Sequence, residues 1–168
     1  MLSDTIQAAL NAQINEEIHS AYIYLAMAAE SDRLGLPGFN NWFKKQYAEE
    51  LAHADRFFNY ILERGGEVKL TAIAGPKISD ETATSLFEKS LAHEQHITSC
   101  IFKLKDLARA ESDHATDNFL EWFVAEQVEE EAATRGVLDQ LKLVDGNSSG
   151  LFLIDRELGS RPTEAEEA

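Results

Sequence analysis

The chain carries the same arrangement of metal-ligating side chains twice. In each half, one glutamate is followed 33 residues later by two polar side chains that stand three positions apart. The residues are Glu17, Glu50 and His53 in the first half, and Glu94, Gln127 and Glu130 in the second, 77 residues further on. Positions i and i+3 lie on one face of an α-helix. Two helices that give one glutamate each, and two that give such a pair, form a dinuclear metal site inside a four-helix bundle.

The spacing of apolar residues predicts four long helices and a short fifth one. We expect the long helices at about Ser3–Leu34, Phe39–Arg64 and Thr82–Glu111, with Asp113 capping a fourth that ends near residue 144. The loop Asp145–Gly150 then precedes a short apolar helix at about residues 150–158, and a polar, acidic tail covers residues 159–168. One domain over residues 1–168 is therefore predicted, with the bundle at about residues 3–144.

The connection between the second and third helices is long enough to decide the topology. It runs from about Glu67 to Glu81 and contains Gly75 and Pro76. A stretch of this length can span a bundle, so the second and third helices can run parallel. His19 and His96, and likewise Glu49 and Glu126, also stand 77 residues apart, which indicates that the second helical hairpin repeats the first. The predicted fold class is all-α.

Composition excludes several classes of function. The 168 residues carry a formal net charge of −15 and no basic block, which argues against a nucleic-acid binder. No apolar run approaches the ~20 residues of a membrane helix, and no secretory leader is visible after Met1. We expect a soluble, cytoplasmic protein. Cys100 is the only cysteine, so no internal disulfide can form, and a buried, inert thiol is predicted.

The six repeated residues fall on inward helix positions that are otherwise apolar. Four of them are carboxylates, which repel one another and are costly to bury without a counter-charge. Two divalent ions would balance the four negative charges. One imidazole with several carboxylates suits Fe(II), Mn(II) or Zn(II). The alternative is a layer of polar side chains that only hydrogen-bond to one another.

Other polar and aromatic residues near these positions allow two interpretations each. Glu49, Glu126 and Glu129 form either a looser third cation site or a solvated acidic face. Tyr24 is either a hydrogen-bond partner and electron source for the centre or a core tyrosine, and Trp122 is open to the same two readings. The remaining histidines have no partner at ligand spacing and are expected at the surface or behind the ligands. They are His19, His93, His96 and His114.

In these residues the chain resembles the bacterial non-haem ferritins, from about Met1 to Leu158. By that resemblance the first iron site comprises Glu17, Glu50 and His53, the second Glu94 and Glu130 beside Gln127, and a third Glu49, Glu126 and Glu129. Glu50 would bridge the two irons, and Tyr24 would stand next to the centre. The resemblance implies a 24-subunit shell that oxidises Fe(II) with O₂ or H₂O₂ and stores a ferric mineral. The fifth helix would line its four-fold axes.

Three features separate the chain from related families. A second Glu-x-x-His motif, as in bacterioferritin, is absent because the fourth helix reads Gln127-Val128-Glu129-Glu130. Ala52 stands near the place of the haem-binding methionine, so no haem is expected. A single cysteine excludes the cysteine-rich module of rubrerythrins.

Asp117 and Glu121, at the start of the fourth helix, are candidates for an iron-entry pore.

Two other functions fit a helical bundle with buried carboxylates. One is a small di-metal oxidase that acts on an organic substrate and forms no shell. The other is an acidic bundle that binds divalent cations or a partner protein without redox chemistry. Neither accounts for the fifth helix or for the position of Gln127.

Overall fold

A computed structural model describes residues 2–160, which form five α-helices and no strand. The helices are α1 (Asp4–Arg33), α2 (Pro37–Glu63), α3 (Ala83–Ala110), α4 (His114–Val144) and α5 (Ser148–Gly159). The predicted all-α class, with four long helices and a short fifth one, is confirmed. Of the predicted tail, residues 161–168 lie outside the described residues. No helix between residues 2 and 160 combines the length and the apolar character that a membrane span requires.

Side-chain caps set most helix starts. The side chains of Ser3 and Thr82 accept hydrogen bonds from backbone N–H groups three residues later, and Asp113 caps α4 as predicted. The prediction of a loop through Gly150 was wrong, because α5 begins at Ser148. Asn147 Oδ1 accepts the Gly150 N–H at 3.0 Å, and the helix starts about two residues before the predicted position.

The crossover between α2 and α3 follows α1 along its length. Near its start, Lys69 N–H donates to Asn11 Oδ1 at 2.6 Å, and at its end Glu81 N–H donates to Glu30 Oε1 at 2.8 Å. The chain therefore passes from the beginning of α1 to its end. Since α2 packs antiparallel to α1 and finishes near the beginning of α1, this path makes α2 and α3 parallel, as the length of the connection predicted.

The apolar core is divided into two clusters. One surrounds Tyr24, Phe39 and Phe87, and the other surrounds Ile14, Phe57 and Phe123. Between them every long helix turns buried polar side chains inward. These are Glu17 from α1, Gln46, Glu50 and His53 from α2, Ser90 and Glu94 from α3, and Gln127, Glu130 and Thr134 from α4. Close-packed apolar side chains therefore lie on both sides of this polar layer and hold it in place.

Helix α5 is fastened to the first turn of α2. Leu36, which precedes α2, makes no side-chain cap, so the first N–H groups of this helix need another acceptor. Asp155 on α5 supplies it, since its Oδ1 accepts from Gly38 N–H at 2.8 Å and from Phe39 N–H at 3.1 Å. A carboxylate at a helix N-terminus also interacts favourably with the helix dipole.

The predicted burial of the only cysteine was wrong. Cys100 is half-buried at the seam between α1 and α3. Its neighbours on α1 include Ala9 and Ala12, whose small side chains leave a groove beside the sulfur instead of covering it.

Candidate metal centre

All six residues of the repeated pattern are buried in the polar layer. Glu94, Glu17 and Glu50 are 0%, 1% and 2% exposed. His53, Gln127 and Glu130 are buried as well, each with an exposed fraction of no more than 6%. Helix geometry explains this placement, because each side chain continues the inward stripe of its helix.

The first group consists of Glu17, Glu50 and His53. One potential ligand atom from each lies within 4.8 Å of the others. Glu17 Oε1 accepts a hydrogen bond from Gln13 Nε2 at 2.8 Å, whereas its Oε2 is buried without a hydrogen-bond partner. Glu50 Oε2 likewise accepts no hydrogen bond and faces His53 Nδ1 at 3.4 Å. Buried carboxylate oxygens without donors are what a bound cation would satisfy.

The second group centres on Glu94. The Tyr24 hydroxyl donates to Glu94 Oε1, and Gln127 Nε2 donates to Glu94 Oε2 at 3.1 Å. Glu130 Oε2 accepts from Gln46 Nε2 at 2.7 Å. In this structure the Gln127 amide therefore orients Glu94.

Two glutamines behind the carboxylates were missed as supporting residues. Gln13 is 3% exposed and stands four positions before Glu17, so helix spacing alone brings them together. Gln46 is fully buried on α2, four positions before Glu50. Its partner Glu130 is on α4, and such a contact between helices has no signature in the local sequence.

Burial dominates the electrostatics of the layer. It raises the pKa of Glu17, Glu50 and Glu94 above the ordinary value, and nearby carboxylates raise those of Glu17 and Glu50 further. The pKa of Glu130 rises to about 8, through burial and then through Glu94 and Glu49. In the metal-free layer the raised pKa values favour the protonated carboxyl groups, whereas bound cations would favour the ionised carboxylates.

We expect Zn(II), which is not redox active, to release protons when it binds at pH 7. The pKa of Glu130 lies above that pH, so a metal must displace a proton from this group. Calorimetric titration in buffers of different ionisation enthalpy counts the released protons. Glu130→Gln should release fewer protons than the parent at saturating Zn(II), and equal numbers would contradict the assignment.

The raised pKa of Glu130 also makes the stability of the metal-free protein depend on pH. Glu130 binds a proton more tightly when folded than when unfolded, where its pKa is near 4.5. This contribution is complete below the unfolded pKa and is lost as the pH rises through about 8.

Comparison with known proteins places this geometry in a family. A family model described as a ferritin-like domain matches residues 7–144. The bacterial non-heme ferritin of Staphylococcus aureus (strain MRSA252) is 39% identical over 166 residues, which are 99% of this chain and 100% of that protein. The chain belongs to the ferritin family. The resemblance seen in the sequence is thereby confirmed.

Other relatives agree. The bacterial non-heme ferritin of Bacteroides fragilis (strain 638R) is 41% identical over 161 residues, covering 96% of this chain and 100% of the relative. The solved open pore ferritin of Archaeoglobus fulgidus is 44% identical and superposes with a TM-score of 0.95, over 96% of this chain and 100% of that one. The fold of this ferritin is thus the one seen in solved relatives.

The predicted third site of this ferritin borders the centre on the α2 and α4 side. Glu49 and Glu126 are half-buried, and Glu129 is exposed. Glu126 Oε1 lies 4.0 Å from His53 Nε2, so it stands between the centre and the surface. Within residues 2–160 these three glutamates do not form a compact ligand cluster of the kind seen for Glu17, Glu50 and His53.

Two aromatic residues border the same layer. Tyr24 is fully buried, stacks on Phe43 and bonds to Glu94, so it serves both the core and the polar layer. Trp122 is half-buried, and its ring centroid lies 5.4 Å from that of His53. The Arg56 guanidinium carbon lies 3.7 Å from the centroid of the Trp122 ring. The tryptophan thus covers the imidazole from the outer side.

Asp117 and Glu121, the candidates for an iron-entry pore, form ion pairs that the sequence did not predict. Lys105 Nζ lies 2.7 Å from Asp117 Oδ1 and 2.6 Å from Glu121 Oε1. Arg109 Nε also pairs with Asp117, at 3.1 Å. Since these cations offset the two carboxylates within the subunit, the pair offers a weaker cation attraction than its sequence indicated.

Proposed function

We propose that this chain is an iron-storage ferritin that oxidises Fe(II) at a dinuclear centre. The observation that carries the proposal is the buried layer in which Glu17, Glu50 and His53 approach one another beside Glu94 and Glu130. Membership of the ferritin family supports it. On this account Fe(II) is the substrate, and the protein works in the cytoplasm without haem, nucleic acid or membrane.

The two groups of ligands would each hold one Fe(II). Glu17 and His53 would serve one ion, Glu94 and Glu130 the other, and Glu50, which interacts with Glu17 and with Glu94, would serve both. Two Fe(II) ions give one electron each to O₂, which takes up two protons and becomes H₂O₂. With H₂O₂ as the oxidant, two electrons and two protons yield two molecules of water.

The protein's own groups prepare this step. The amides of Gln13 and Gln127 and the Tyr24 hydroxyl fix the orientation of Glu17 and Glu94. Because these donors are already in place, little reorganisation is needed when the metal binds. The two apolar clusters on either side restrict water to the layer.

The ferritin would store its product inside a shell of 24 copies. Phe152 and Leu153 on α5 support an assembly, because they are 64% and 56% exposed in the single chain. Exposed apolar side chains next to each other mark an interaction surface. Repeated contacts of this kind can close a symmetric shell.

Stopped-flow mixing of the metal-free protein with Fe(II) and O₂ tests the oxidation. The fast phase should saturate at two Fe(II) per chain, because two ligand groups exist. A rate that shows no saturation, and no difference from Fe(II) in protein-free buffer, would contradict the proposal.

Substituting Glu129 should affect turnover less than substituting a ligand of the centre. Glu129 is exposed on α4, so Glu129→Ala leaves the buried layer intact. We expect the first fast phase to be preserved and only later additions of Fe(II) to be oxidised more slowly. If Glu129→Ala slows the first phase as much as Glu94→Ala does, Glu129 matters to the dinuclear centre as much as Glu94, and its assignment to a looser third site is wrong.

A further inference from the structure

A second group of potential metal ligands lies on the outer seam of α1 and α3, away from the polar layer. His96 Nε2 is 3.2 Å from Glu16 Oε2 on α1 and 3.7 Å from Cys100 Sγ one helical turn further along α3. The imidazole thus contacts a carboxylate and a thiol at once. The sequence indicated no ligand partner for His96, because its contact with Glu16 joins two different helices.

These distances match the edges of a tetrahedral metal site. With Zn–N and Zn–O bonds of about 2.0–2.1 Å and a Zn–S bond of about 2.3 Å, neighbouring ligand atoms stand roughly 3.2–3.8 Å apart. Both measured contacts of His96 fall in that range. Within residues 2–160 the ligand atoms of Glu16, His96 and Cys100 do not all lie within 4.8 Å of one another, so binding requires the Glu16 carboxylate to approach the sulfur. The spacing i, i+4 of His96 and Cys100 directs both side chains to one face of α3. Glu16 ends a flexible side chain that is 35% exposed, so its carboxylate can move towards the sulfur.

The surroundings leave room for an ion. Glu16 and Cys100 line a groove of about 260 Å³ between α1 and α3, and a metal could complete its coordination there with water. Lys103, at the rim of the same groove, is the cation that opposes binding. His93, whose ring lies 6.2 Å from that of His96, has its pKa lowered to about 4 by burial and stays neutral.

We propose that Glu16, His96 and Cys100 bind one borderline divalent cation of the Zn(II) type. A thiolate and an imidazole favour such an ion, whereas the carboxylate-rich centre suits Fe(II). Burial and the Glu16 carboxylate raise the pKa of the Cys100 thiol, so the sulfur carries a proton when no metal is present. Binding forms the metal–sulfur bond and releases that proton to solvent. This site does not depend on the oxidation of iron.

Titration of the reduced, metal-free protein with Co(II) tests the proposal. A Co(II)–thiolate bond gives near-ultraviolet charge-transfer absorption, which ions bound only by carboxylate and imidazole do not give. We expect this absorption to saturate at one Co(II) per chain, to be displaced by Zn(II), and to be absent in Cys100→Ser. His96→Gln should weaken it by at least about tenfold in apparent affinity, since even outer-shell partners of a metal contribute that much.

Two further comparisons keep the test decisive. His114→Gln removes an exposed histidine on α4 and should leave the titration unchanged. Zn(II) should also protect Cys100 from alkylation in the parent but not in His96→Gln. No charge-transfer absorption in the parent would overturn the proposal. The same absorption at unchanged affinity in both His96→Gln and Glu16→Gln would overturn it as well, because the thiol would then bind alone.

Discussion

Replacing Glu94 by alanine is expected to slow the fast phase of Fe(II) oxidation by at least about a hundredfold, because loss of even an outer-shell partner lowers metal affinity or activity ten- to a hundredfold. Glu94 is fully buried and receives the Tyr24 hydroxyl and the Gln127 amide. Its removal takes away the carboxylate of the proposed second iron position and leaves two donors without an acceptor.

The control for this experiment is Glu94→Gln. Glutamine keeps the volume and removes the charge, so it separates loss of the ligand from the cavity that alanine creates. Both variants should assemble like the parent in sizing chromatography, since Glu94 lies inside the subunit. Fe(II) oxidation by Glu94→Ala at the parent's rate would show that the centre has been assigned wrongly.

Replacing Gly38 by alanine is expected to displace α5 from the bundle. A Cβ atom at this position would lie 1.6 Å from the backbone oxygen of Asp155, a distance that no side-chain rotation can relieve. Overpacking typically destabilises by about 1–3 kcal/mol, and a clash with backbone atoms lies at the upper end of that range. Displacement would also remove Asp155 from the first N–H groups of α2. We expect a lower thermal midpoint and a loss of large assemblies in sizing chromatography.

Gly136→Ala is the matched control for this substitution. Gly136 is also helical, but a Cβ atom there meets nothing within 4 Å. Alanine in an open helical position stabilises by roughly 0.5–1 kcal/mol. A thermal midpoint and assembly that are the same in both variants would mean that the contact between α2 and α5 does not matter.

Much of the fold could be predicted because the pattern of buried residues is periodic. The stripes of α1 to α4 recur every three or four residues, and the structure buries their members. Long periodic stripes identify a helix well, whereas a short apolar helix does so poorly. The start of α5 was therefore missed, since it depends on the single hydrogen bond from Gly150 to Asn147.

The location of the candidate centre could also be predicted, but its hydrogen bonds could not. Polar residues at inward positions reveal a buried layer, and the structure places Glu17, Glu50 and His53 together. The contact of Gln46 with Glu130, by contrast, joins residues 84 positions apart. Which amide supports which carboxylate depends on helix packing, and a single sequence does not contain that information.

Charge near the surface was the least predictable property. Asp117 was read as part of an acidic pore, yet Lys105 and Arg109, one helix earlier, both reach it. The contact of His96 with Glu16 likewise crosses from α3 to α1. In both cases the sequence identified the charged residue, while the partner depends on how α3 packs against its neighbours.

The amount of iron retained per chain distinguishes an iron-storing shell from the other two functions. Fe(II) is added in air in large excess to the metal-free protein, and iron is measured in the protein peak from a sizing column. We expect a shell-sized peak with far more iron than the ligands of the chain could bind. A small peak with about two irons per chain would contradict it and point to an oxidase for an organic substrate. Absence of retained iron would instead leave only a cation-binding bundle.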